Sequence, residues 1–132
     1  MIIAASAIAA AVDHARASRP RECCGVLIGV GDEIREAIPG NNLAESPSRF
    51  LLDPKSHIDA RRRARDRDLI VVGFYHSHPH SSACPSPTDL AEAVYGECVH
   101  LIVGFVAGEA EVRLFAYRSG RAIELEQAVA PS

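Results

Sequence analysis

The sequence predicts an α/β (α+β) domain in which a central mixed, mostly antiparallel sheet is flanked by about three helices. Short apolar runs bounded by glycine or proline recur along the chain and are typical of buried strands. Alanine-rich or highly charged segments lie between some of these runs and are typical of helices. Strands and helices do not alternate strictly, so a doubly wound parallel sheet is not expected.

The chain is 132 residues long, which is sufficient for one domain, 1–132, around a single core. Hydrophobic residues make up 48% and charged residues 23%, a balance that excludes intrinsic disorder, collagen and coiled coil. The formal net charge of −3 disfavours a general nucleic-acid binder. No apolar run reaches the roughly 18 residues of a membrane span. We therefore expect neither nucleic acid nor membrane as a partner.

The N-terminal segment is apolar and rich in alanine, and it predicts a first helix that ends near Ala17, before a break at 18–20. A signal peptide is the alternative, but no Lys or Arg precedes the apolar run. The chain has four cysteines and no C-x-x-C pair: Cys23, Cys24, Cys84 and Cys98. We expect free thiols in a reducing cytosol, and hence a cytoplasmic protein, with two disulfides as the open alternative.

The apolar runs predict the strands of the sheet. Segment 24–30 is bounded by glycines and is predicted to be a buried strand. A hairpin turn at 31–32 leads to a returning strand at 33–38. Segment 50–52 is a further short candidate, and 69–75 has the most convincing buried-strand pattern. The remaining strands are predicted at 99–106, 111–117 and 123–128.

Charge and capping predict two more helices. Segment 55–68 is strongly charged and carries a thin apolar stripe. Ser86 is a good N-cap, Pro87 suits the first helical position, and Asp89 supports the first turn. We expect this last helix to end near Gly96.

The most informative stretch is a pair of histidines followed, ten residues later, by an aspartate. Side chains two residues apart on a strand point to the same side, so His76 and His78 should project together. Asp89, in the first turn of the next helix, can return to supply an oxygen. Two His and one carboxylate leave a fourth tetrahedral position open for water, which is the pattern of a catalytic zinc site.

A structural interpretation of the same residues stays open at this point. One H-x-H at a strand end is not specific, and a Ser-x-x-Asp helix start often means only capping. Zinc hydrolysis also needs a general base, and the pattern alone does not select it. Glu22 is notable because it precedes a buried strand, although it could instead be a solvated loop residue or pair with an arginine.

Two motifs carry a resemblance to the JAMM (MPN-plus, Mov34/MPN/PAD-1) zinc metalloprotease family, of the small stand-alone prokaryotic type. The first is His76-Ser77-His78-Pro79, followed by Ser86 and Asp89. The second is the upstream segment 20–29, in which a glutamate precedes a Cys-Gly strand. The resemblance implies a cytidine-deaminase-like MPN fold for a single domain, 1–132. It also implies one Zn²⁺ per chain, bound by His76, His78 and Asp89.

The same resemblance implies roles for the other residues. Glu22 would hold and deprotonate the zinc-bound water and pass the proton to the leaving amine. Ser86 would donate a hydrogen bond to the tetrahedral oxyanion. The expected reaction is hydrolysis of the peptide or isopeptide bond after the C-terminal Gly-Gly of a ubiquitin-like protein, here a ubiquitin-fold sulfur carrier.

Alternatives accompany this prediction. The chain could be a non-catalytic MPN-type module that binds partners, or a zinc amidase that acts on small substrates. Cys84 could be an inert loop thiol or an inhibitory ligand. The arginine-rich segment 61–67 could be a solvated helix face or contact an acidic partner. The sequence carries no signal for the oligomeric state.

Overall fold

The computed structural model describes residues 1–91 and 98–132 of the chain. Eight strands and three helices lie in these ranges. In chain order they are β1 Ile2–Ala4, α1 Ala5–Ser18, β2 Cys24–Val30, β3 Glu33–Gly40, α2 Pro54–Asp66, β4 Ile70–His78, α3 Pro87–Ala91, β5 Val99–Val106, β6 Glu109–Arg118, β7 Arg121–Leu125 and β8 Ala128–Ala130.

All eight strands form one sheet, in the order β7-β6-β5-β4-β2-β3-β1-β8. Among the described residues, four neighbouring pairs are antiparallel: β2 with β3, β2 with β4, β5 with β6, and β6 with β7. Three pairs are parallel: β1 with β3, β1 with β8, and β4 with β5. The predicted mixed, mostly antiparallel sheet is therefore confirmed.

Helices cover both faces of the sheet. Consecutive strand residues point to opposite faces, and apolar residues on both faces are buried under helices. Leu27 of β2 packs into the core cluster under α1, which contributes Ala7, Ala11 and Ala15. Its neighbour Ile28 packs into the cluster under α2. The short helix α3 lies on the α2 side, where its residue Leu90 packs against a third cluster.

The N-terminus differs from the prediction of a helix that starts at once. Ile2 and Ile3 form a strand and pair with Glu33 and Ile34 of β3, so α1 begins only at Ala5. The helix ends at Ser18, close to the predicted end. At Ile2 and Ile3, parallel pairing with a distant strand overrides the local preference for helix. Local sequence patterns carry little information about such pairing between distant strands.

Two predicted strands also need correction. Segment 50–52 is not a strand, because only an isolated bridge joins Leu52 to Asn42. The single strand predicted at 123–128 is instead two strands, β7 and β8, which lie at opposite ends of the sheet. The predicted end of the last helix near Gly96 lies outside the described residues.

The cysteines, the arginine-rich segment and the helices were each the subject of a sequence prediction. All four cysteines are free, and burial raises the pKa of Cys23 to about 11 and that of Cys24 to about 12. In the arginine-rich segment 61–67, Arg63 of α2 and Arg67, just after this helix, form ion pairs with Glu36 of β3. None of the helices in the described ranges has the length and apolar character that a membrane span requires.

Candidate metal centre

The two histidines of the H-x-H motif lie at the C-terminal end of β4, with β2 on one side and β5 on the other. Their side chains point to the same face, as the spacing predicted, and their Nε2 atoms are 3.3 Å apart. The His76 side chain is 4% exposed and that of His78 is 10% exposed. Two buried imidazole nitrogens this close together are typical of a metal site.

Asp89 of α3 brings a carboxylate oxygen to the same point. Its Oδ2 lies 3.1 Å from Nε2 of His78 and 3.2 Å from Nε2 of His76, and its side chain is 8% exposed. The two imidazole nitrogens and one carboxylate oxygen are the donor set that zinc prefers. The residues therefore fit the ion that the sequence predicts.

Asp89 is held in place by the start of its own helix. Its backbone N–H donates to Oγ of Ser86 over 3.0 Å, and its Oδ2 accepts from the backbone N–H of Ser86 over 2.9 Å. This reciprocal pair has the arrangement of a capping box. Helix capping and delivery of the carboxylate are thus achieved by the same two side chains.

His78 is oriented by a carbonyl group of the next loop. Its Nδ1 donates to the backbone oxygen of Ser82 over 3.0 Å, so Nε2 faces Asp89. The loop is fixed on either side, because Ser81 O accepts from Phe105 N and Ala83 N donates to the carboxylate of Glu111, both over 2.8 Å. Such outer contacts hold a metal-binding histidine in one orientation.

His76 is covered by an aromatic ring. The Phe50 ring stacks on the His76 imidazole with a centroid distance of 4.4 Å and an interplanar angle of 20°. Phe50 lies in the segment 50–52 that was predicted to be a strand, and the sequence pattern does not predict this contact. No local signal could reveal it, since the two residues are far apart along the chain.

Glu22 approaches the histidines from the end of the segment before β2. A carboxylate oxygen of Glu22 and one ring nitrogen each of His76 and His78 all lie within 4.8 Å of one another. Ser77, between the histidines, accepts from Cys23 N at its Oγ over 2.8 Å and donates its own N–H to Cys23 O over 3.1 Å. These bonds join the two sequence motifs at one site.

The charges of the site are mutually stabilising. Burial alone would raise the pKa of Asp89, but hydrogen bonds from His76 and His78 hold it well below its usual range. Burial lowers the pKa of His76. Burial also opposes charge on His78, yet the hydrogen bond to Asp89 gives a net rise in its pKa. Asp89 is therefore ionised at neutral pH.

A cavity of about 580 Å³ opens over these residues. One wall comes from the segments around Glu22 and 47–50, and the other from the loop and helix start at 78–89. Ser86 lines this cavity together with His78 and Asp89. Cys84 is exposed and lines it as well, but it does not belong to the Glu22, His76 and His78 cluster.

Comparison with known proteins places the chain in a family. Residues 4–118 match the family described as prokaryotic homologs of the JAB domain, and the chain belongs to this family. The resemblance to small prokaryotic JAMM proteins is thereby confirmed, and the chain is a JAMM-type hydrolase.

Two relatives that match this chain carry the names of enzymes. The CysO-cysteine peptidase of Mycobacterium tuberculosis is 35% identical over 105 residues, 78% of this chain and 72% of the relative. The desampylase of Haloferax volcanii is 36% identical over 107 residues, 76% of this chain and 77% of the relative.

Solved structures confirm the MPN-type fold. A solution structure of a Desulfitobacterium hafniense protein matches with a TM-score of 0.87 and 29% identity, over 100% of this chain and 94% of the other. A JAB1/MPN domain protein from Archaeoglobus fulgidus matches with a TM-score of 0.63 and 24% identity, over 97% of this chain and 96% of the other.

Proposed function

We propose that this protein is a zinc-dependent peptidase or isopeptidase that hydrolyses the bond after the C-terminal Gly-Gly of a ubiquitin-fold sulfur-carrier protein. The observation that carries the proposal is the convergence of His76, His78, Asp89 and Glu22 at one point, beside the cavity that Glu22, His78 and Asp89 line. The names of the relatives support the substrate class, because they describe enzymes that act on conjugates of small carrier proteins.

In this proposal His76, His78 and Asp89 bind one Zn²⁺ per chain. Their nitrogens and oxygen supply three donors, which leaves a position for substrate or water. When bound, zinc supplies a water of lowered pKa and a Lewis acid for the scissile carbonyl. Asp89 is ionised and His78 is held by Ser82 O, so the protein side of the site is already arranged.

Glu22 is the proposed general base. Its carboxylate lies near both histidines but belongs to the segment before β2, whereas the histidines belong to β4. Hydrolysis adds the oxygen of water to the carbonyl carbon, breaks the C–N bond and leaves a proton on the departing amine. Glu22 would accept the proton from the attacking water and deliver it to that amine.

Ser86 is the proposed donor to the oxyanion. Its Oγ accepts a hydrogen bond from Asp89 N, but a hydroxyl has one proton to donate besides its two acceptor positions. The O–H group therefore stays available at the cavity wall. A donor of this kind contributes roughly 3 kcal/mol at the transition state where it has been measured in other enzymes.

The cavity shape is compatible with a chain terminus as substrate. Phe50 and Pro47 stand on one wall, and Pro79 stands on the other. An extended Gly-Gly tail has no side chains that these residues would need to accommodate. This is consistent with the proposed requirement for glycine before the scissile bond.

Two alternatives are separable by experiment. A non-catalytic partner-binding module would not need the ligand set and Glu22 to converge, so the geometry disfavours it. A zinc amidase for small substrates would use the same residues and differ only in the substrate that it accepts.

A cytoplasmic location and the lack of a nucleic-acid partner also belong to the proposal. They are supported by the free cysteines and the net charge of −3.

The decisive experiment uses the zinc-loaded protein and three substrates. These are a carrier protein extended beyond its Gly-Gly by one residue, the same protein with Ala-Ala in place of Gly-Gly, and a small acyl amide. We expect cleavage of the first alone, detected as a mass change at the bond after Gly-Gly. Cleavage of the small amide alone would support the amidase, and cleavage of none would support the partner-binding module.

A further inference from the structure

The side-chain amide of Asn42, just after β3, makes four hydrogen bonds. Its Nδ2 donates to the backbone oxygens of Glu22 and Arg49, both over 3.0 Å. Its Oδ1 accepts from the backbone N–H groups of Ala44 and Leu51, both over 2.9 Å. An amide side chain has two N–H donors and two acceptor lone pairs, so its hydrogen-bonding capacity is used completely.

These bonds connect two parts of the candidate site that lie far apart along the chain. On one side is the backbone of Glu22, whose N–H also donates to Pro47 O over 2.9 Å. On the other side are the two residues that flank Phe50, the ring that stacks on His76. Asn42 therefore joins the candidate base to the aromatic ring over the metal ligands.

We propose that Asn42 is a positioning residue that sets the Glu22 carboxylate and the Phe50 ring relative to the two histidines. For its catalytic consequences this inference rests on the function proposed above. Displacement of a reacting group by about 1 Å can lower a rate by ~100-fold, so loss of this link should act on turnover. Asn42 touches neither the substrate nor the metal in this proposal.

The natural test is Asn42→Asp, which is nearly isosteric. Aspartate keeps the acceptor for the two N–H groups but loses both donors and places a negative charge against two carbonyl oxygens. The neighbouring Asn41→Asp is the matched control, since among the described residues the Asn41 side chain makes no hydrogen bond, whereas its backbone does. Asn42→Ala provides a second variant if the aspartate prevents folding.

We expect kcat on the Gly-Gly carrier to fall at least ~10-fold in Asn42→Asp, with KM and zinc content little changed and Asn41→Asp near wild type. In the background of Glu22→Gln, the same change should lower kcat by a smaller factor than in the wild-type background, because the part of its effect that acts through Glu22 is already lost. Unchanged kcat per bound zinc in both Asn42 variants, or effects that multiply with Glu22→Gln, would overturn the inference.

A second readout needs no substrate. The chain has no tryptophan, so Phe50→Trp introduces a single fluorescent reporter on the ring position. Adding Asn42→Asp should shift its emission to longer wavelength as the ring leaves His76, while Asn41→Asp should not. A protein that cleaves no carrier but shows this shift would contradict the proposed function and support the link to Phe50. An unshifted emission would contradict the link.

Discussion

At Asp89, a single carboxylate oxygen meets both histidines of the site and the backbone of its own helix. The hydrogen bond from Ser86 N fixes the carboxylate before any ligand arrives. The two imidazoles keep its pKa low, although burial alone would raise it. In the proposed zinc site, this preformed carboxylate would reduce the ordering that metal binding otherwise requires.

At Glu22, binding and chemistry can be separated. Glu22→Gln removes the base but none of the three proposed zinc ligands, so zinc content should stay near one per chain while kcat falls ~100-fold or more. His78→Ala removes a ligand and should lose both. Elemental analysis and carrier-cleavage kinetics on the same preparations check this. Near-full activity of Glu22→Gln would exclude Glu22 as the base.

At Ser86, two roles of the same hydroxyl compete. Ser86→Ala should cost ~1 kcal/mol of stability, because Asp89 N loses its acceptor, and should also lower kcat about 100-fold through the oxyanion. Ser86→Gly is the informative comparison, since glycine at an N-cap costs only a few tenths of a kcal/mol relative to serine.

The measurements are thermal unfolding and kcat per bound zinc for both variants. If Ser86→Gly keeps the melting temperature but loses turnover, the oxyanion role is supported. If turnover per bound zinc follows stability in both variants, Ser86 is a capping residue only.

At the level of elements, strand β5 supports the candidate metal centre, because the loop between β4 and α3 packs closely against it. Gly104 lies against the backbone of Ser82 and Ala83, and a Cβ at this position would overlap both residues. The loop between β4 and α3 thus sits directly on β5. The carbonyl that orients His78 depends on the absence of a side chain in a neighbouring strand.

Gly104→Ala should therefore push Ser82 O away from His78. We expect a loss of stability of about 1–3 kcal/mol from overpacking and a zinc affinity lower by about 10- to 100-fold. Zinc titration and unfolding curves would measure the two effects. Val106→Ala, at a 50% exposed position of the same strand, should change neither. Wild-type zinc affinity in Gly104→Ala would show that the Ser82 contact does not orient the ligand.

For the whole molecule, the proposed zinc site should couple to folding. A ligand that binds only the folded state stabilises it by about 2.7 kcal/mol at 100 times its dissociation constant. We expect about one zinc per chain and a higher melting temperature with zinc than with chelator. This gain should vanish in His78→Ala and persist in His80→Ala, whose exposed side chain is not a proposed ligand. Equal melting temperatures with and without zinc would argue against the site.

A second whole-molecule effect concerns pH. Burial, and secondarily the nearby His76, lowers the pKa of His100 to about 4. Its ring stacks on Tyr117 at a centroid distance of 4.1 Å, and within the described part of the chain its Nε2 has no hydrogen-bond partner. His100 is protonated near pH 6.5 in the unfolded chain but only near pH 4 in the folded chain. Stability is therefore lost as the pH falls through this window.

His100→Phe removes this titration and keeps an aromatic ring against Tyr117. Between pH 7 and pH 5 the wild-type protein should lose roughly 2 kcal/mol more stability than the variant. Urea unfolding in the presence of chelator measures the difference, since the other histidines are common to both proteins. Parallel pH profiles would mean that the folded protein accepts the proton on His100 without cost.

Much of the site follows from local rules of sequence. The two-residue period of a strand predicts that His76 and His78 share one side, and the capping preference of Ser86 predicts where Asp89 sits on its helix. The glycine-bounded run at 24–30 and the pattern of 69–75 predict strands that the structure contains as β2 and β4. Each of these predictions depends on neighbours within about one helical turn or two strand positions.

What only the tertiary structure decided depends on contacts between distant segments. The pairing of β1 with β3 and β8, the stack of Phe50 on His76 and the four bonds of Asn42 have no signature in the local pattern. Side-chain periodicity reports which face a residue occupies, but not which remote backbone meets that face. Glu22 approaches the histidines, and the Ser82 carbonyl reaches His78, because strands and loops pack together in the folded chain. Only this packing fixes the distances between segments that are far apart in the sequence.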